Sequence, residues 1–158
     1  MPVDHLRGGP ESGLHRSEDG GETWTELKSG LPNYAGKIGF TLSPQKPDVL
    51  YASIELEKRN GAVYKSEDRG SSWKKMSDLS LGYGTGPHYY QELFASPHKF
   101  DRLYLMNVRI LTSEDGGKTF VELTERSKHS DNHAIAFRED DPNYLLVGTD
   151  AGIYESFD

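Results

Sequence analysis

The 158-residue chain has no cysteine, which excludes disulfides, zinc–thiolate centres and cysteine nucleophiles while leaving the compartment open. Nor does it contain a run approaching the roughly 20 apolar residues of a membrane span, so no membrane partner is expected. Its first 20 residues, with Asp4, Arg7, Glu11 and His15, lack the apolar centre of a signal peptide. No export address is therefore expected in the chain as written, and its localisation stays open. Basic blocks are missing as well: the net charge of −7 is spread without long runs of one sign, which gives nucleic acid little electrostatic purchase. Helix-building composition is also thin. Hydrophobic residues are 34% and charged residues 27%, beside 17 glycines and 8 prolines, a balance that suits many short strands joined by turns. At this length the size prior is one domain with a core.

Three octets stand out against this background: "SEDGGETW" from Ser17, "SEDRGSSW" from Ser66 and "SEDGGKTF" from Ser113. Their first residues lie 49 and 47 positions apart, and a period of about 40–50 residues in a β-rich chain is the signature of propeller blades. Short alternating runs flank each octet, "SGLHRS", "GAVYKS" and "VRILTS" before it and "WTELK", "WKKMS" and "FVELT" after it. The octet is then the connection of a tight hairpin. Two more strands precede the second and third hairpins, "KIGFTLSP" with "DVLYASIE" and "YYQELFASP" with "DRLYLMNV", and a comparable pair, "NHAIAFRE" with "NYLLVGTD", follows them. The joining loops "SPQKPD", "SPHKFD" and "EDDPN" carry the Pro, Asp and Asn that stop strands. Asn60-Gly61 is the dipeptide favoured by two-residue hairpin turns and is expected between the second and third strands of its unit.

The predicted fold is all-β, built from propeller blades of four antiparallel strands. A half blade covers residues 12–28, full blades 37–77 and 88–124, and three strands of a further blade 132–156. A closed propeller needs about four to eight blades. The chain is accordingly expected to be part of a larger propeller or to assemble into one, with exposed blade faces that favour self-association.

The pattern Ser-x-Asp-x-Gly-x-Ser/Thr-Trp/Phe resembles the Asp-box, or bacterial neuraminidase repeat. The matching residues are Ser17, Asp19, Gly21, Thr23 and Trp24; Ser66, Asp68, Gly70, Ser72 and Trp73; and Ser113, Asp115, Gly117, Thr119 and Phe120. Asp-boxes occur in sialidases, xyloglucanases, sortilin-type receptors and exported bacterial propellers, so the resemblance implies architecture more than activity. Nearly the whole chain resembles the bacterial sortilin-like propeller proteins labelled "glycosyl hydrolase". The segments that carry this are "GGPESGLHRSEDGGETW", "GPHYYQELFASP", "DRLYLMNVRILTSEDGGKTF" and "HSDNHAIAFREDDPNYLLVGTDAGIYESFD". That family is longer than this chain and commonly has an acid after "DNH", where Ala134 stands here.

The octet chemistry has a physical reading of its own. An Asp in a tight turn accepts hydrogen bonds from backbone N–H groups ahead of it, the Gly takes conformations closed to other residues, and Ser and Thr close the polar network. Trp24, Trp73 and Phe120 are expected to plug the core. These residues read as structural, and function is sought on the opposite face, where the inter-blade linkers meet the mouth of the central channel.

That linker face is expected to gather His88, Tyr89 and Tyr90 of "GTGPHYY", His129, Asp131, Asn132 and His133 of "KHSDNH", Arg59, Asn60, Arg109 and Asp150. His129, Asp131 and His133 alternate, which in an extended segment puts three metal-capable groups on one side; a satisfied structural role or a ligand contact are the competing readings. No cofactor is expected. Glycoside hydrolysis needs two carboxylates about 5–10 Å apart, and Asp131 with Asp150 is the nearest pair, Glu92 a poorer third. The chain alone is expected to be non-catalytic, a scaffold that binds a protein or glycan; the alternative is a part of a glycoside hydrolase.

Overall fold

A computed structural model describes residues 12–57, 60–80 and 91–157. Among them are thirteen strands in four antiparallel sheets. The first sheet pairs β1 (Leu14–Arg16) with β2 (Thr25–Leu27). The second is β3 (Ile38–Leu42), β4 (Leu50–Glu55), β5 (Asn60–Ser66) and β6 (Lys74–Ser80), in chain order. The third repeats this with β7 (Leu93–Ala95), β8 (Leu103–Leu105), β9 (Leu111–Ser113) and β10 (Val121–Glu122). The fourth holds β11 (Asn132–Phe137), β12 (Leu145–Thr149) and β13 (Gly152–Ser156). The all-β expectation is met, with four strands in the second and third sheets; there the octet connects the third strand to the fourth, and in the two-stranded first sheet it connects β1 to β2.

Period-two alternation builds the core between sheets rather than within one. Along β8, Leu103 and Leu105 join Val49, Tyr51 and Val63 of the second sheet, whereas Tyr104 and the adjoining Met106 join Ile135 and Val147 of the fourth. Along β4, Tyr51 turns to the third sheet while Ala52 and Ile54 turn to the first, where Leu14 and Leu31 cover them with Trp73. The innermost strands pack closely enough to select glycine. A Cβ on Gly39 of β3 would lie 2.0 Å from the Gln91 carbonyl oxygen, and Thr41 Oγ1 accepts the Ala95 amide at 3.2 Å.

Two expectations change. Trp73 is 6% exposed, but Trp24 is 64% exposed and plugs nothing. Trp73 is covered because Ser29 accepts its amide at 2.9 Å and the Leu14 and Leu31 side chains pack on its cluster. Trp24 has no sheet on its outer side among the described residues, and its indole bonds back to the Gly21 carbonyl of its own turn. Asn60-Gly61 is also not the centre of a two-residue turn. Both residues lie in β5, Gly61 opposite Glu55, and the Leu56 amide reaches the Asn60 carbonyl at 2.8 Å.

Candidate functional site

The octets are chemically closed. In each, the serine hydroxyl donates to the aspartate (2.7, 2.8 and 2.8 Å) and accepts the amide of the fifth-position glycine (2.7, 2.8 and 2.9 Å). The aspartate then accepts the amide of Thr23, Ser72 or Thr119 on one oxygen and the hydroxyl of the same residue on the other. These bonds favour the charged form. Hydrogen bonds from Ser72 and Ser66 lower the Asp68 pKa to about 2, bonds led by the Thr119 amide lower that of Asp115 to about 2, and bonds led by the Thr23 hydroxyl lower that of Asp19. Both indoles add a bond, to the carbonyls of Gly21 and Gly70 at 3.0 Å.

The linker face is built differently, from a repeated charged position just before each innermost strand. Lys37, Glu92 and Asp131 are equivalent: each carbonyl accepts an amide at the end of the second strand of its own sheet, from Glu55 (the last residue of β4) and from Met106 and Asp150 (the residues just after β8 and β12). Lys37 and Glu92 pair across the sheets at 2.6 Å. Glu92 is thus engaged with a lysine rather than placed opposite a second carboxylate.

Asp131 follows in this row, and its turn is anchored from below. The Asp131 and Asn132 amides donate to the Val108 and Asn107 carbonyls at 3.0 and 3.1 Å, and the Asn132 side chain bonds the same two carbonyls. Beneath the turn lies Glu125, its side chain 1% exposed, paired with Lys128 at 2.9 Å. Lys128 also donates to the His129 carbonyl at 2.8 Å and to Asn132 Oδ1. Removing one partner of this buried pair would strand a charge. Arg109 approaches Glu125 only to 3.9 Å and stays half exposed.

On this base His133 Nε2 meets Asp150 Oδ1 at 2.8 Å, and Ser130 Oγ donates to Asp131 Oδ2 at 2.8 Å. Asp131 and Asp150 are brought together at the end of one hairpin, joined through the backbone at 3.3 Å. The His129, Asp131 and His133 triplet is not gathered, and no group of three or more metal-capable side chains forms among the described residues. The alternation that suggested it fails because Asp131 has φ 62°, which turns the chain before β11 begins, and the His129 ring nitrogen takes the Ser130 carbonyl at 2.7 Å. His88, Tyr89, Tyr90 and Arg59 lie outside the described residues.

Lys37, Glu125 and Lys128 were not singled out from the sequence. Aligning the three first strands as "GKIGF", "QELFA" and "SDNHAI" exposes the charged position. Nothing in the linker's composition marks Glu125 as buried.

No family model matches the chain, and no curated protein matches it. Solved structures do. The GH74 enzyme of Niastella koreensis matches with TM-score 0.72 at 18% identity, over 92% of this chain and 25% of its own. The GH74 xyloglucanase of Xanthomonas campestris matches with TM-score 0.70 at 19% identity, over 96% of this chain and 27% of its own. Ycf48 bound to D1 peptide matches with TM-score 0.57 at 20% identity, over 90% and 43%. The four sheets are part of a β-propeller, and the chain spans about a quarter of the length of the two GH74 enzymes.

Proposed function

We propose that the chain is a non-catalytic scaffold segment of an Asp-box propeller of the sortilin-like kind, which binds a protein or glycan ligand through its linker face. The observation that carries this reading is the contrast in chemistry between the two faces. Octet carboxylates are consumed by their own turns, whereas the linker face holds the partly exposed His133–Asp150 pair beside Asp131 on a buried ionic base. Such a surface offers donors and acceptors at fixed spacing to hydroxyls or to a basic peptide. Both ligand classes have a precedent among the similar structures, a xyloglucanase and a peptide-bound Ycf48, and fold alone does not choose between them.

The second reading is a part of a glycoside hydrolase, favoured by the meeting of Asp131 and Asp150 at one hairpin end. Against it, the Asp150 carboxylate is engaged by His133 within the same sheet, where a glycosidase needs two carboxylates facing across a bond. Titration calorimetry of the wild type, His133→Ala and Asp150→Asn against xyloglucan oligosaccharides and a lysine-rich peptide separates the readings. Binding of one ligand class, weakened at least about tenfold in both variants (roughly 1.4 kcal/mol), is the expected result. Equal affinity in all three proteins would remove the linker face as the site. Release of reducing sugar that Asp131→Asn and Asp150→Asn both abolish would establish the hydrolase.

A further inference from the structure

Independently of that reading, we infer that a second copy of this chain docks head to tail, seating its first octet on the outer face of the fourth sheet. The argument rests on equivalent positions along the repeat. Val63, Ile110 and Ile153 each stand three residues before a serine, Ser66, Ser113 and Ser156, at the end of the third strand of its sheet. Val63 and Ile110 are fully buried, whereas Ile153 is 78% exposed. What buries the first two is the following sheet. Val63 lies under the third octet, so close that a Cβ on Gly117 would come within 2.6 Å of its Cγ1. Ile110 packs on Ile135 and Val147 of the fourth sheet.

Ile153 does not stand alone on its face. Ala134, Gly148 and Ile153 form one cross-strand row, and Ala136, Leu146 and Glu155 the next. Tyr144 and the exposed Phe157 form an edge-on aromatic pair close by. This is the same kind of face that Tyr104 and Met106 present to the fourth sheet, left open among the described residues.

The opposite end presents the matching half. The interface that covers Val63 is made by an octet glycine, and the equivalent glycine of the first octet, Gly21, has only its own Trp24 within reach of a would-be Cβ. Beside it Trp24 is exposed. Gly70 and Gly117 sit against the preceding sheet, at Leu27 and Val63; Gly21 has no preceding sheet among the described residues. A second copy supplies it, with Ile153 of one chain against Gly21 and Trp24 of the other. The two contacting surfaces differ, so the association is heterologous and leaves a free surface at each end unless the ring closes.

Sedimentation velocity of the full chain over a concentration series tests this, with far-UV circular dichroism and melting as folding controls. The wild type is expected to run above its 17.7 kDa monomer mass, increasingly so with concentration. Ile153→Glu and Trp24→Glu, both at exposed positions, are expected to melt as the wild type does and to sediment as monomers. Mixing the two variants is the decisive arm, because each keeps the surface the other has lost. A one-to-one complex of the mixture, with neither variant self-associating, supports head-to-tail docking. A wild type that stays monomeric at the highest concentration, an Ile153→Glu chain that still self-associates, or variants that fail to pair would overturn it.

Discussion

The turn from Ser17 to Trp24 and the turn from Ser66 to Trp73 are nearly the same object in two settings. Their internal hydrogen bonds agree in partner and almost in length, and both indoles bond the glycine carbonyl at 3.0 Å. One tryptophan is nonetheless exposed and the other buried. The hydrogen-bond network is therefore a property of eight residues, while the burial is a property of the neighbouring sheet. A local motif fixes the hairpin; only the array makes a core of it.

Glycine gives the sharpest way to break this comparison. Gly21 and Gly117 share a left-handed backbone, φ 97° and 88°, so replacement by alanine costs each roughly 1–2 kcal/mol through backbone strain. Gly117→Ala also drives a methyl into Val63 at 2.6 Å, which adds about 1–3 kcal/mol of overpacking. Urea unfolding should show Gly117→Ala as the more damaging of the two, and equal losses would mean that the octets do not pack as described. The tryptophans come next. Trp73→Ala is expected to cost roughly 3–5 kcal/mol, while Trp24→Ala stays within about 1 kcal/mol, as exposed substitutions do.

Protonation should produce the smallest contrast, because it reports the local network alone. Asp19, Asp68 and Asp115 all have lowered pKa values in the folded chain. A lowered folded pKa means that the charged form stabilises the fold. That contribution is complete above the ordinary carboxylate value of 3.8 and is lost as pH falls toward about 2 for Asp68 and Asp115. An NMR titration of the side-chain carboxyl carbons should place all three below 3.8, the exposed octet included. An Asp19 that titrates normally beside a lowered Asp68 would show that the network needs cover to form.

What could be read from the sequence follows the same division. The octet spacing, the serine, aspartate and glycine roles, and the order of strands all come from local pattern, and these match the structure closely. The cover of each ring could not be read, because Trp24 and Trp73 stand in nearly identical local sequence and differ only in what packs on them. At the candidate site, the meeting of Asp131, His133 and Asp150 followed from the hairpin, but the metal-like alternation did not survive the positive φ of Asp131. The Lys37–Glu92 pair escaped notice because it joins residues 55 positions apart in different sheets. Glu125 escaped because a carboxylate in a polar linker carries no mark of burial.

With only two tryptophans in the chain, Trp73→Phe and Trp24→Phe give two proteins that each report one octet. Acrylamide quenching of their fluorescence at the lowest workable concentration tests the comparison directly. Trp24 should be quenched as a solvent-exposed indole and Trp73 should be strongly protected; equal quenching of the two would contradict the claim that the array, and not the octet, makes the core.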